Sequence, residues 1–236
     1  MLLSRRQIIE GGSAAGALAL MSSPAFAQIA DRVRPDRLSD LRIDELDPPA
    51  RRPGTVPAMA RSSAGAFIDP RMVARARAAF DRHRSQLTHT DVVGIADFTK
   101  ASSEPRFYLL NTVNGSATRH LVAHGRGSDP SHTGFLQRFS NQVGSEASSN
   151  GAYVTSQYYQ GRYGRSMRVR GLDYSNSNAE ARAIVVHSAW YAEPGVLAGQ
   201  GRLGRSEGCF ALPHHSLQEA LTRLGPGRFL YADRLA

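Results

Sequence analysis

Apolar and polar positions change their period along this chain. From Asp69 to about Leu87, Met72, Val73, Ala76, Ala79, Phe80 and Leu87 recur at near-helical intervals, which predicts a helix with one buried face. Asp69 supplies a cap oxygen, and Pro70 fits the first turn, where its missing N–H costs nothing. Beyond Leu87 the period shortens. Val92 to Phe98, Arg106 to Val113 and Thr118 to Ala123 are short runs rich in β-branched and aromatic residues, bounded by turn residues, and predict three strands. Met167 to Leu172, Arg182 to Val186 and Arg228 to Tyr231 predict three more. Ser216 to Leu224 predicts a short late helix, with Ser216 as cap and Glu219 completing a capping box. The fold class that follows is mostly β, a β-rich α+β domain with a leading helix and few short helices.

Two stretches break the pattern. Residues 124 to 161 are so rich in Gly, Ser and Asn that they predict one long ordered loop, and such loops inside compact domains usually carry function. Residues 28 to 66 hold Asp47-Pro48-Pro49 and Arg51-Arg52-Pro53-Gly54, with many charges and few large apolar residues. Proline removes donors from helices and sheets, so this stretch predicts a linker ahead of a domain spanning residues 67 to 236.

Residues 1 to 27 predict a signal peptide: a basic start, an apolar middle and the small-x-small end Ala25-Phe26-Ala27. Arg5-Arg6 after Ser4, followed by Ile8-Ile9, is like a twin-arginine signal and predicts export to the periplasm. Glu10 stands where such signals often carry lysine, which keeps the general secretory route open. No other segment is long and apolar enough for a membrane span. Cleavage would remove two arginines and one glutamate, taking the net charge from +9 to +8. The remaining excess is scattered arginine rather than one basic run, and no nucleic-acid motif accompanies it. It suits an anionic partner in the cell envelope, or is simply a basic surface.

Export makes the one cysteine informative. Oxidising compartments favour paired cysteines, and Cys209 is the chain's only one. It is therefore a buried small hydrophobe or a thiol kept for reactivity. Its setting, Gly204-Arg205-Ser206-Glu207-Gly208-Cys209-Phe210 with His187 upstream, favours the second. A thiol nucleophile needs a base, and His187 at the end of the predicted strand Ala183 to Val186 can be one. Gly208 permits a sharp turn and lets nearby amides face an oxyanion. A carbonyl can hold the histidine in one tautomer, since no carboxylate stands close in sequence.

Other polar residues admit duller readings. His120 and His124 lie in a predicted strand without the convergence a metal site needs. His214 and His215 follow Cys209 too closely to act as its base. Trp190 and Tyr191 line a cleft or cover the core.

A histidine at a strand end, about twenty residues of loop and then Ser206-Glu207-Gly208-Cys209 resemble the catalytic domain of the murein L,D-transpeptidases, the YkuD fold. Ala123-His124-Gly125-Arg126-Gly127-Ser128, Phe139-Ser140-Asn141, Gly144-Ser145, Ser148-Ser149-x-Gly151-x-Tyr153 and Gly201-Arg202-Leu203-Gly204-Arg205-Ser206 look like the branch with a longer insert. The resemblance covers about residues 69 to 236. It implies a β-sandwich or barrel domain without metal or organic cofactor. Cys209 would form a thioester with a peptidoglycan stem peptide, releasing the terminal D-alanine of a tetrapeptide. His187 would be the base, the Ser188 carbonyl its orienter, and the amides of Gly208 and Cys209 the oxyanion hole. Candidate substrate contacts are Arg205, Ser206, Tyr153, Ser140, Asn141 and His124. The acyl group would pass to an amine of a neighbouring stem, making a 3-3 or 1-3 cross-link. Water as acceptor would instead make a carboxypeptidase or amidase, and a site without turnover would make a wall-binding module.

The chain departs from the family pattern at three positions. Glu207 stands where members have histidine, Ser188 where many have glycine, and Ala211 where arginine or asparagine is common. The last removes a group that recognises substrate carboxylate, a role that Arg205 or Arg202 could take over.

Overall fold

The computed structural model describes Ser62–Ser63 and residues 67–236. The expected signal peptide, residues 1–27, and the expected linker, residues 28–66 apart from Ser62 and Ser63, lie outside the described residues.

The leading helix α1 spans Pro70–His83 and is followed by one tighter turn, Arg84–Gln86. The Asp69 carboxylate accepts the Arg71 backbone N–H at 2.8 Å, with Pro70 in the first turn. Met72, Ala76, Ala79 and Phe80 form its buried stripe, and each of the larger two contributes about 1.5–3 kcal/mol by leaving water. Phe80 meets Phe229 edge-on, with centroids 5.4 Å apart.

Nine strands form one mixed sheet among the described residues: β1 (Ser62–Ser63), β2 (Val92–Asp97), β3 (Phe107–Asn111), β4 (Ser116–His120), β5 (Gly151–Gly161), β6 (Gly164–Gly171), β7 (Val185–Ser188), β8 (Phe210–Leu212) and β9 (Phe229–Asp233). Their order is β1-β4-β3-β2-β9-β5-β6-β7-β8. All six residues of β2 are buried, because the strand is covered on both faces. Val93 and Ile95 join the cluster under α1, while Val92 and Ala96 join the main core. That core also takes Leu217, Ala220, Leu221 and Leu224 from α3, the helix His214–Leu224. The chain beyond β4 reaches the far end of the sheet through two isolated bridges, Ala123–Ala211 and Gly125–Ser206. The sheet thus curls toward closure, and the mostly-β class with a leading helix is the one observed.

Several elements differ from the sequence reading. Gly151–Gly161 is the longest strand rather than the end of a loop. Its glycine-serine-asparagine approach concealed a run of aromatic and β-branched residues that fit a pleated surface. β7 starts late and includes His187 and Ser188, since Ala183 at φ 52° breaks the extended chain before it. A short helix α2, Pro194–Gln200, was not anticipated. The late helix begins at His214, not after Ser216, so the capping box does not form. The Glu193 carboxylate accepts the His214 N–H at 2.7 Å instead, serving the helix end from another segment.

Candidate active site

β7 and β8 run parallel, with His187 opposite Ala211 and Val186 opposite Phe210. Cys209, one residue before β8, is therefore a diagonal neighbour of His187 across a single strand pair. The parallel arrangement needs a long crossover, which explains how residues so far apart in sequence become adjacent in space.

Gly208 turns the chain into β8 at φ 112°. A Cβ there would lie 2.7 Å from the Ala147 oxygen and 2.9 Å from Ile184 Cδ1, so both space and dihedral demand glycine. Ser206 splints this turn. Its hydroxyl donates to the Cys209 carbonyl at 2.8 Å and accepts the Gly208 N–H at 3.1 Å. The Gly208 amide, implied as an oxyanion donor, is thus engaged within the loop.

His187 is buried. Its Nδ1 lies 2.8 Å from the Ser188 carbonyl; a carbonyl only accepts, so Nδ1 carries the proton and Nε2 keeps its lone pair. Burial holds the imidazole below its ordinary range, against the opposing pull of the Ser188 carbonyl. Tyr163, in the turn of the β5–β6 hairpin, stacks on the ring with centroids 4.6 Å apart and planes 28° apart.

Cys209 is half-buried. Its surroundings push the thiol up to about 11, chiefly by removing water from the thiolate. A hydrogen bond with the Val185 backbone and the charge of Arg182 oppose that rise, while Glu207 adds to it. Sγ donates to the Ala183 carbonyl at 3.6 Å rather than to His187. The resting pair is thiol and neutral imidazole, not thiolate and imidazolium.

Arg182 was not singled out by the sequence reading, because isolated arginines are common in this chain. Its guanidinium donates to the Ser140 carbonyl and Ser149 Oγ, both at 2.6 Å, and to the Ala147 carbonyl. It therefore ties the long loop 124–150 to the Cys209 turn. Tyr163 went equally unmarked, since nothing in a hairpin's sequence says what its turn will cover.

The candidate substrate residues separate into three groups. Tyr153 and His124 are buried, and their polar ends bond inward. The Tyr153 hydroxyl donates to the Ser149 carbonyl at 2.9 Å, and its ring meets Phe210 edge-on. His124 Nδ1 accepts from Arg106 at 2.7 Å, and Nε2 lies 3.4 Å from the Asp129 carboxylate. Burial and the Arg106 charge push His124 down to about 3. Ser140 and Asn141 join loops: the Asn141 amide donates to the Tyr174 carbonyl at 2.8 Å and to Ser177 Oγ at 3.0 Å. Ser206 braces the turn as described. Arg205 lines a cavity.

Two cavities lie among the elements around this strand pair. One of about 260 Å³ lies on the His187 side, lined by Tyr158, Tyr163, Arg165, Ser188, His214 and Leu217 among others. The other, about 320 Å³, lies along the crossover between β7 and β8, lined by Arg126, His132, Trp190, Tyr191, Gly204 and Arg205 with Val196 and Gln200. No helix among the described residues is long and apolar enough to cross a membrane.

Comparison with known families gives a match over residues 65–232 to the L,D-transpeptidase catalytic domain model. The chain belongs to this family. The curated proteins give no match. Among solved structures, an L,D-transpeptidase from Mycobacterium smegmatis is 15% identical, with a TM-score of 0.37 over 61% of this chain and 58% of that one. L,D-transpeptidase 3 from Mycobacterium tuberculosis, in complex with a faropenem-derived adduct, is 13% identical at a TM-score of 0.38 over 61% and 60%. An L,D-transpeptidase from Xylanimonas cellulosilytica is 14% identical at 0.37 over 66% and 68%. The chain thus spans about three-fifths of the length of the two mycobacterial structures.

Two departures from the family pattern acquire physical reasons. Ala211 is fully buried opposite His187, packed with Ala123, Ala189, Ala192 and Leu203. A long charged side chain has no room in that alanine-rich cluster. Glu207 is exposed and pairs with Arg126 at 3.3 Å, while Arg126 also holds Glu146.

Proposed function

We propose that this chain is a peptidoglycan L,D-transpeptidase in which Cys209 forms a thioester with a stem peptide and transfers it to an amine of a neighbouring stem. The observation that carries this reading is the His187 tautomer. With Nδ1–H donated to Ser188 at 2.8 Å, the imidazole offers a bare Nε2 beside the strand position of the only cysteine. Hydrogen bonds between base and nucleophile commonly tighten only when substrate is bound, and rotation about the Cys209 Cα–Cβ bond would move Sγ from Ala183 toward His187.

The chemistry follows from the resting protonation states. As Sγ attacks the carbonyl before the terminal D-alanine, its proton passes to Nε2 and the S–C bond forms. The oxyanion takes a hydrogen bond from the Cys209 amide. Collapse breaks the C–N bond, and imidazolium returns the proton to the departing amine. The acceptor amine then attacks the thioester, His187 takes its proton, and the sulfur leaves to be reprotonated. The N-terminal sequence supports an exported enzyme working in the periplasm on the wall.

Incubating the purified protein with tetrapeptide-rich sacculi tests the reading. New cross-linked dimers are expected, lost in Cys209→Ala, and their linkage separates 3-3 from 1-3 products. Shortened monomers alone would mean that water is the acceptor. Unchanged muropeptides, with no carbapenem adduct on Cys209 by mass spectrometry, would reject catalysis.

A further inference from the structure

We infer that Arg182 is a positioning residue for acyl transfer, whose guanidinium steadies the Cys209 sulfur as a thiolate when it attacks and again when it leaves. This inference rests on the acyl-transfer reading of the thiol and names the group that makes a sheltered sulfur usable.

The turn that carries Arg182 is fixed before any substrate arrives. The Arg182 N–H donates to the Asn178 carbonyl at 2.8 Å, and the N–H groups of Ala183 and Ile184 donate to the Glu180 and Ala179 carbonyls, both at 2.9 Å. These bonds hold Ala183 at φ 52°, a left-handed conformation that a residue with a Cβ keeps only when its surroundings impose it. Two adjacent residues then meet the Cys209 turn with opposite polarity. The Ala183 carbonyl accepts from the resting Sγ–H at 3.6 Å. The Arg182 guanidinium packs on Gly208, its Nη2 3.0 Å from the place a Cβ on that glycine would take. A thiol suits the carbonyl and a thiolate is repelled by it, so ionisation hands the sulfur from Ala183 to the field of Arg182.

That field is uncompensated. All three acceptors of the guanidinium, the Ser140 and Ala147 carbonyls and Ser149 Oγ, are neutral. The other titratable groups around the sulfur are Glu207 in its own turn, His187 on β7, Tyr153 and Tyr159 on β5, and Tyr191 on the crossover. Glu207 is exposed and pairs with Arg126 at 3.3 Å. Burial raises all three phenols, which therefore stay neutral, and the imidazole is neutral at rest. Arg182 is half-buried, so water and salt screen it less than an exposed cation.

The sulfur carries negative charge twice in the reaction. In the first step it gives its proton to His187 Nε2 as the S–C bond forms. In the second that bond breaks, the electron pair returns to sulfur, and the proton comes back. A cation close by favours the charged form, against the burial that raises this thiol.

The test compares the parent with Arg182→Lys and Arg182→Gln. Both substitutions break the fork that ties the loop, and only lysine keeps the charge. Alkylation by iodoacetamide is followed across pH 6 to 10 with no peptide present. The glutamine protein should react more slowly at pH 8 by on the order of fivefold, its curve displaced to higher pH, while the lysine protein follows the parent. Equal slowing in both variants, or none in either, overturns the inference, because the loop contacts would then account for Arg182 entirely. Should Arg182→Gln fail to fold, Arg182→Met supplies the neutral partner for the same comparison. If lysine and the neutral residue behave alike while the parent still makes cross-linked dimers, the inference fails and the transfer reading stands. If the charge governs alkylation but the parent forms no thioester with a tetrapeptide, the hold on the thiolate stands and the transfer reading fails.

Discussion

Tyr163 lies over the imidazole of His187, ring centroids 4.6 Å apart, and reaches it from a hairpin turn remote in sequence. The same turn offers its Tyr163 carbonyl to Ser188 Oγ at 3.3 Å. Tyr163 therefore helps keep water from a base whose value burial has lowered. Truncation, Tyr163→Ala, should let water in and move His187 back toward 6.5. The base form is the neutral one, so activity is lost on the acid side of this value. The acidic limb of the rate–pH profile should shift to higher pH in the variant. An unmoved limb with a reduced plateau would show that Tyr163 only shapes the substrate cavity.

The thiol should behave as a hard-to-ionise group. With Cys209 near 11, alkylation by iodoacetamide should climb with pH through the whole neutral range, without the plateau that a preformed ion pair gives. Glu207→Gln removes a negative charge that raises the thiol, and should speed alkylation at pH 8 by about twofold, an effect that fades with salt because Glu207 is exposed. A plateau below pH 7 would contradict the assignment of the resting state.

Gly208→Ala should be more damaging than its size suggests. The added methyl meets the Ala147 oxygen and Ile184 in a backbone conformation that alanine resists, a cost of roughly 1–3 kcal/mol. Transfer activity should vanish while far-ultraviolet circular dichroism stays near that of the parent. Retention of full activity would mean that the turn before Cys209 is not tightly set.

Arg182→Met should release the long loop. Three acceptors, Ser140 and Ala147 carbonyls and Ser149 Oγ, would lose their donor at once, which costs on the order of 3 kcal/mol. Protease cleavage should concentrate in residues 140–149, and urea unfolding should shift to lower concentration. Cleavage elsewhere would argue that the loop is held by its own contacts.

Acid should weaken the fold before the carboxylates titrate. Burial sets His120 to about 4 and His124 to about 3, both from 6.5. Between those values and 6.5 the unfolded chain binds more protons than the folded one, so stability rises with pH across that window and is level above it. The unfolding midpoint in urea should fall steadily from pH 6.5 to pH 4. Constant stability to pH 4.5 would show that both rings take up protons within the folded state.

The local period along the chain was enough for α1, β2, β3 and the late helix, because each has one clear apolar face or an unbroken apolar run. The site was legible where covalent neighbours define it: Gly208, Cys209 and a histidine on a β-branched strand. It was illegible where function depends on distant chain segments. Tyr153 and His124 look like cleft residues because tyrosine and histidine are polar at one end, yet each finds its partner inside. Arg106 could not be read as core at all. Fully buried, it bonds twice to the Val122 carbonyl, at 3.0 and 2.9 Å, and once to the Lys100 carbonyl at 2.8 Å. Such a network exists only once the strands are assembled.

The parallel pairing of β7 with β8 fixes His187 and the approach to Cys209 by backbone register, whereas the crossover between them supplies Trp190, Tyr191, Gly204 and Arg205 to the cavity wall. These two duties are mechanically separate. Residues can be exchanged, added or removed in the crossover without sliding one strand against the other. A library confined to residues 190–205 could therefore be screened for new peptide preferences on an unaltered reactive pair.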